Sequence, residues 1–345
     1  EIRKGHGPLL YFRPMMSKDE DYEVDDQREE ILIGVVDPSA AGERLDKVLP
    51  QLFPPYSRSQ LQAWLKDGRI RLGDDVPPAR LSVAGGEAIS LTIPPMPPAR
   101  WVAEDLPLPV VFEDQDVVVI DKPAGWVVHP GAGNSSGTLA NAILHRYPSA
   151  SALPRAGIVH RLDKETSGLL VVALSERARG RLIADLENRD VHREYLAVVN
   201  GTPISGGTVD APIGRHPRDR IKMAVTENGK PAETEYRIIE RFRGHTLLSL
   251  KLKSGRTHQI RVHMAHLGFP LVGDPLYGDR VRLPAQAGEE LINTLREFRR
   301  QALHATTLGC LHPATEEELS WSSSPPADFL KLVESLRLDA NSAHD

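Results

Sequence analysis

Hydrophobic positions fall into a helical rhythm soon after an acidic opening. Leu45, Val48, Leu49 and Leu52 recur at i, i+3, i+4 and i+7, which predicts a helix. Pro50 lies inside that pattern, lacks an amide hydrogen and should end or bend the helix early. A second helix follows, capped by Ser57 or Ser59, with Leu61, Trp64 and Leu65 on one face and Gly68 as its left-handed stop. Two strands are expected next, Arg69-Ile70-Arg71-Leu72 and residues 88–93, with turn chemistry at Gly73 and Gly85-Gly86. Residues 94–109 then hold six prolines, too few donors for a central strand or a helix. A semi-rigid linker is expected over 95–109, between a small domain at 35–94 and a large one at 110–338.

In the large domain, apolar runs alternate with turn residues. Val117-Val118-Val119-Ile120, residues 168–174, residues 195–199, residues 234–239 and residues 246–252 read as strands. Ser175 should cap a helix carrying Leu182, Ile183 and Leu186. Later helices carry Leu291, Leu295 and Phe298, and then Phe329, Leu330, Val333 and Leu336. Strands interrupted irregularly by helices predict an α+β fold with a mixed sheet, without regular βαβ winding.

Composition adds three exclusions. No apolar run among the 345 residues reaches the ~20 needed to cross a bilayer, so no membrane partner is expected. The single cysteine, Cys310, permits neither an internal disulfide nor a Cys-rich zinc module, and reads as a small buried residue. Glu1-Ile2-Arg3-Lys4 opens without the apolar core of a signal peptide, so a cytoplasmic location is expected. The residues before Met15 or Met16 read as tag or upstream sequence.

A net charge of −5 argues against a polyanion-binding protein until it is resolved along the chain. Residues 17–30 hold eight acids against Lys18 and Arg28. Setting that stretch aside turns −5 into +1, and residues 1–34 are expected to be a disordered acidic tail with 339–345 a short C-terminal one. Between Arg215 and His263 stand twelve Lys or Arg against five acids, with four histidines besides. Such clustering is what a polyanion feels, because screening removes charges beyond roughly 8–10 Å.

Two segments carry candidate chemistry. His160-Arg161-Leu162-Asp163-Lys164-Glu165-Thr166-Ser167-Gly168 joins two apolar runs, with Asp163 in the polar crossing. On a pinned loop Asp163 could be a nucleophile, a general base or a metal ligand, or could merely cap its own turn. The second segment, residues 254–263, packs Arg256, His258, Gln259, Arg261 and His263 directly after a strand. Its guanidiniums suit phosphate or carboxylate, and one beside Asp163 would keep that carboxylate ionised. His258, His263 and His266 are the metal alternative, but only the last two have one-turn spacing and no Cys or acidic ligand is near. There is no Gly-x-Ser-x-Gly elbow and no Walker loop.

Taken together, these segments resemble the RluA-type pseudouridine synthases. The likeness also rests on Arg193-Glu194-Tyr195, Asp121-Lys122-Pro123-Ala124-Gly125 with His129-Pro130-Gly131, and Gly273-Asp274-Pro275-Leu276-Tyr277-Gly278, and it covers about residues 35–338. It implies a largely antiparallel catalytic sheet. It further implies isomerisation of uridine to its C-glycoside within 23S large-subunit ribosomal RNA or its assembly intermediate, without cofactor or metal. Asp163 would be the nucleophile, Arg261 its partner, Tyr195 the ring stacked on the uracil and a candidate to remove a proton, and Ile260 an apolar wall. Arg161 would fill the space vacated by a flipped base, while Arg256, His258, Arg215, Arg218, Arg220 and Lys222 would contact phosphate. The small domain is similar to an S4 RNA-binding domain, with Arg44, Arg58, Lys66, Arg69 and Arg71 as its phosphate contacts. A monomer is expected. The alternatives are a non-catalytic RNA-binding or ribosome-assembly factor, and a metal-dependent hydrolase built on the histidines.

Overall fold

The computed structural model describes residues 9–10, 30–53, 56, 58–93, 101–131, 134–219, 221–278 and 281–342. The chain divides into two compact units, residues 1–100 and 101–345.

The first unit contains β1 (Leu9–Leu10), β2 (Glu30–Val35), α1 (Leu45–Leu52), α2 (Arg58–Lys66), β3 (Ile70–Leu72) and β4 (Ala88–Ile93), with an antiparallel sheet in the order β1-β2-β4-β3. The expected tail over 1–34 is therefore too long, since β2 begins at Glu30 and Leu32 is buried. Helix α1 continues two residues past Pro50. Proline in the last turn deletes only one helical hydrogen bond, and Leu49, Leu52 and Phe53 bury fully around it. Helix α2 begins at Arg58, so Ser59 lies inside its first turn rather than capping it, and Ser57 falls outside the described residues. Gly68 stops it at φ +72°, with the Arg69 amide donating back to the Trp64 carbonyl.

The second unit begins with β5 (Val110–Glu113), β6 (Val117–Lys122), α3 (Leu139–Arg146), β7 (Ser167–Ala173), α4 (Glu176–Asn188) and β8 (His192–Asn200). Then come β9 (Gly207–Asp210), the hairpin β10 (Ile213–Arg215) and β11 (Met223–Val225), β12 (Glu233–Arg241), β13 (His245–Leu252) and α5 (Gln259–His266). It closes with α6 (Glu289–Glu297), β14 (Leu303–Leu311), β15 (Glu318–Ser322) and α7 (Ala327–Ser342). The large sheet runs β5-β6-β7-β14-β8-β13-β12-β9, with β15 on β14, and among the described residues only β7 and β14 pair in parallel. This is the mixed, largely antiparallel α+β arrangement expected.

Period-two alternation sorts the strand residues to two faces. Val118, Ile120, Leu170, Val172, Tyr195, Ala197, Leu248 and Leu250 join one core with α3 and with Ile260 and Met264 of α5. Val117, Val119, Leu169 and Val171 face α4, while Val198 and Leu247 meet α6 and α7. In α7 the buried apolar positions are Phe329, Leu332, Val333 and Leu336, whereas Leu330 is 51% exposed, a correction to the expected face. At 100° per residue, position 330 turns away from the stripe set by 329 and 333.

Two expected boundaries also shift. Residues 101–109 belong to the large unit, because Trp101 and Leu108 pack on its core and Asn141 Nδ2 donates to the Val102 carbonyl. The C-terminal tail expected from 339 is helical to Ser342, with Asp339 buried against Arg243. No helix among the described residues is long and apolar enough to cross a membrane.

Candidate active site

Asp163 lies on the loop that enters β7, on the same side of the sheet as α5. Glycines let the chain make this crossing. A Cβ at Gly157 would lie 1.9 Å from the Ala173 carbonyl oxygen, and one at Gly168 would lie 2.2 Å from that of Ala305. The loop is fastened from several sides. Thr166 N–H donates to the Asp163 carbonyl at 3.0 Å, and Gly125 N–H to the Lys164 carbonyl at 2.9 Å. Arg300 Nη1 donates to the Glu165 carbonyl, and Gln301 Nε2 to Thr166 Oγ1. His160 Nε2 accepts the Val171 amide at 3.1 Å, and burial pushes that imidazole down to about 3, so it stays neutral.

Lys122 fastens the loop from behind. It is fully buried, and its Nζ donates to the carbonyls of Pro123 (2.9 Å), Trp126 (3.0 Å) and Lys164 (3.0 Å). Burial pushes the ammonium down to about 7, against the charges of Glu165 and Asp163. Three carbonyl acceptors use all three hydrogens of the charged form, which favours that form.

Arg261, on α5 and 4% exposed, reaches Asp163. Its Nη1 donates to Asp163 Oδ2 at 2.9 Å, while Nε and Nη2 hold Asp274 Oδ2 and Oδ1 at 2.7 and 2.9 Å. Burial works to raise the Asp274 carboxyl. The bonds from Arg261 and from the Leu276 and Tyr277 amides outweigh it and hold the group below its usual range. The guanidinium also sits 5.0 Å from the centre of the Tyr277 ring.

Asp163 Oδ1 is left facing His258 Nε2 at 3.9 Å, beyond hydrogen-bond reach. His258 caps α5 in the left-handed region, φ +58°, and burial lowers its pKa despite the nearby Asp163 charge. Tyr277 Oη accepts the Met223 amide at 2.8 Å and lies 2.7 Å from His258 Nδ1. Its one proton is then best placed on the bond to Nδ1, which puts the imidazole hydrogen on Nε2, toward Asp163. The same bonds tie the β10–β11 hairpin to the site.

Asp163, Tyr195, Arg261, Arg161, Ile260, Arg256 and His258 all line one narrow cavity of about 50 Å³. A wider cleft of about 600 Å³ shares Arg161, Asp163, Tyr195 and Arg256 with it and adds Arg155, Arg189, Arg193 and Lys253. Burial raises the Tyr195 phenol, with Arg193 opposing and Asp163 reinforcing, so the hydroxyl is protonated at neutral pH. His258, expected at phosphate, is half-buried beside the carboxylate.

Other expected contacts lie elsewhere. Arg215, Arg218 and Lys222 belong to the β10–β11 hairpin and line neither cavity; Arg220 falls outside the described residues. Arg44, Arg58 and Arg69 belong to the small unit, where Arg44 and Arg58 both bond the buried Asp46. His263 has its nitrogens on Thr234 Oγ1 and the Ala211 carbonyl, both at 2.9 Å.

Sequence reasoning gave no role to Asp274, Tyr277, Lys122 or Arg193. The signals were present in the Gly273–Gly278 and Asp121–Gly125 motifs and in Arg193-Glu194-Tyr195, but what links them to the site, such as Arg261 for Asp274, His258 for Tyr277 and the Lys164 carbonyl for Lys122, is distant in sequence.

Residues 116–266 match the RNA pseudouridylate synthase family. The chain is 54% identical over 306 residues to ribosomal large subunit pseudouridine synthase D of Xanthomonas campestris pv. campestris, covering 89% of this chain and 92% of that protein. It is 50% identical over 309 residues to the protein of the same name from Escherichia coli K12, covering 89% and 95%. Among solved structures, human RNA pseudouridylate synthase domain containing 4 aligns with a TM-score of 0.52 at 27% identity, over 66% of this chain and 93% of that one. Human RNA pseudouridylate synthase domain containing 1 aligns with a TM-score of 0.50 at 28% identity, over 65% and 86%. With its fold, its motifs and relatives of this identity over nearly nine-tenths of its length, the chain belongs to the pseudouridine synthases of the RluA type.

Proposed function

We propose that the protein isomerises uridines of large-subunit ribosomal RNA to pseudouridine, with Asp163 as the nucleophile. The carrying observation is the unequal use of the Asp163 carboxylate. Arg261 holds Oδ2, while Oδ1 takes no hydrogen bond among the described residues, and Asp163 lines a cavity that Tyr195 also lines. The reaction breaks the C1′–N1 bond, turns the base and forms a C1′–C5 bond. It involves no net redox change, and one ionised nucleophile suffices. Oδ1 is the attacking atom, whether it strikes the ribose at C1′ or the uracil at C6.

The uridine must leave its stack to reach that oxygen, at a cost of a few kcal/mol. Arg161, exposed on the same loop, fills the space left behind. Tyr195 stacks on the uracil and enters the reaction protonated, so it can take up the C5 proton only after giving up its own. Ile260 closes the apolar wall. Arg256 and the hairpin cations Arg215, Arg218, Arg220 and Lys222 contact phosphate. The small unit is an S4-like RNA-binding domain that adds Arg44, Arg58 and Arg69. The names of the relatives support ribosomal RNA as the substrate. The protein acts as a cytoplasmic monomer.

The test is to map pseudouridines in large-subunit ribosomal RNA from cells lacking the protein, then restore it. Specific pseudouridines should vanish, return with the wild type and stay absent with Asp163→Asn. An unchanged map, or full restoration by Asp163→Asn, would overturn the proposal.

A further inference from the structure

Three arginines of the described residues are buried, and two of them are answered by carboxylates. Arg261 is held by Asp163 and Asp274, and Arg300 by both oxygens of Asp328. The third, Arg193, is 6% exposed, and its side chain makes no ion pair or hydrogen bond among the described residues. Its Nε is shut away from solvent without a partner. A buried charge without a counter-charge is costly, so its retention calls for an anion that arrives from outside.

The position of Arg193 identifies the anion. It stands on β8 two residues before Tyr195, so the two side chains leave the same side of the strand about 7 Å apart. Both line the wide cleft beside Asp163. Arg155, Arg161, Lys253 and Arg256 line it too, which makes the cleft strongly cationic. Gly255 keeps space at the guanidinium, since a Cβ there would lie 3.0 Å from Arg193 Nη1. His129 Nδ1, a second buried polar atom without a partner, lines the same cleft. The cations of this wall call for a ligand that brings acceptor oxygens, close to one nucleotide's length from the Tyr195 ring.

We propose that Arg193 is a phosphate-binding residue, pairing with the phosphodiester that flanks the uridine presented to Asp163. The inference rests on the proposed reaction for the placement of that uridine. A planar guanidinium can hold two oxygens of one phosphodiester. Most of the Arg193 side chain is already out of water in the free protein, with Nε shut away, so the guanidinium gives up less hydration than an exposed one when the phosphate arrives. The free protein carries the cost, and the bound RNA removes it.

This predicts opposite effects of one substitution on folding and on binding. In the full-length protein, Arg193→Met should leave the unfolding midpoint in denaturant unchanged or raise it. The same variant should bind a ribosomal RNA stem-loop containing the target uridine at least tenfold more weakly. In a series of stem-loops carrying a single neutral methylphosphonate at successive linkages, the linkage flanking the uridine should weaken wild-type binding by that factor and have no further effect on Arg193→Met. Arg193→Lys, which keeps the charge, should stay sensitive to that linkage.

A lowered midpoint with wild-type RNA affinity would make Arg193 a structural residue and overturn the proposal. So would a scan in which every linkage weakens Arg193→Met as much as the wild type. Running the scan on Asp163→Asn separates the two claims, because binding is then read without turnover. Failure of that variant to lose activity would count against the reaction, not against the phosphate contact.

Discussion

Arg261 joins two carboxylates that are held very differently. At the Gly273–Gly278 turn, the Asp274 side chain is fully buried, and two guanidinium nitrogens and two backbone amides occupy its oxygens. At the loop entering β7, the Asp163 side chain is 16% exposed and Arg261 takes one oxygen. A buried carboxylate that takes four hydrogen bonds across its two oxygens is a fixed part of the scaffold. One anchored by a single oxygen is aimed, and its other oxygen remains available for chemistry. The difference lies in how completely each acid is satisfied, since both share the same arginine.

The contrast can be broken most strongly from its structural end. Asp274→Ala should destabilise the large unit by about 3–5 kcal/mol in denaturant unfolding, because it strips a buried arginine of its main partner. A loss under 1 kcal/mol would mean that Asp274 is no anchor. Next comes the support behind the Asp163 loop. Lys122→Met removes the donor to three carbonyls and should cost about 1–3 kcal/mol, with slower single-turnover conversion as the loop loosens. An unchanged unfolding midpoint and rate would contradict that role.

A pH dependence sharpens the same comparison. In the fold His160 takes up a proton only near pH 3, whereas in the unfolded chain it does so near 6.5. The unfolded state therefore binds more protons between those values, and stability should fall as pH drops below 6.5. The slope from this group approaches about 1.4 kcal/mol per pH unit. His160→Gln keeps an acceptor for the Val171 amide and should flatten the curve of unfolding free energy against pH. Parallel curves for variant and wild type would reject the assignment. The smallest effect is expected at the hairpin. Removing Arg218 and Lys222 together should lower the salt slope of RNA binding by about 0.7–0.9 per lost contact and leave single-turnover conversion at saturating RNA unchanged. An unchanged salt slope would place the RNA elsewhere.

Much of this was readable from local patterns. Continuous apolar runs such as Val117–Ile120 and residues 195–199 are strands buried on both faces of the sheet, and Gly68 ends α2 as its position suggested. Asp163, Tyr195 and Arg261 were legible as a set only through the family resemblance that their motifs carry, and the fold brings them to one cavity. The role of Asp274 was not, because nothing local distinguishes it from a turn-capping acid. Its meaning comes from Arg261, thirteen residues away across a helix. Helix α5 was hidden for a related reason. Gln259, Arg261 and His263 are buried polar residues satisfied by tertiary partners, so the segment lacks the apolar stripe that marks an ordinary core helix. Leu330 and Leu332 exchanged places because leucines on either side of Lys331 leave the helical phase open until the core beneath selects it.

The most direct test of the central contrast is to measure Asp163→Asn in two ways on the same preparation. Single-turnover pseudouridine formation at saturating RNA should fall below detection, while the unfolding free energy should stay within about 1 kcal/mol of wild type, because asparagine keeps an oxygen to accept the one hydrogen bond from Arg261 and Asp274 still answers the guanidinium. Conversion within tenfold of wild type would contradict the account, because the oxygen left open by Arg261 would then not be the one that reacts.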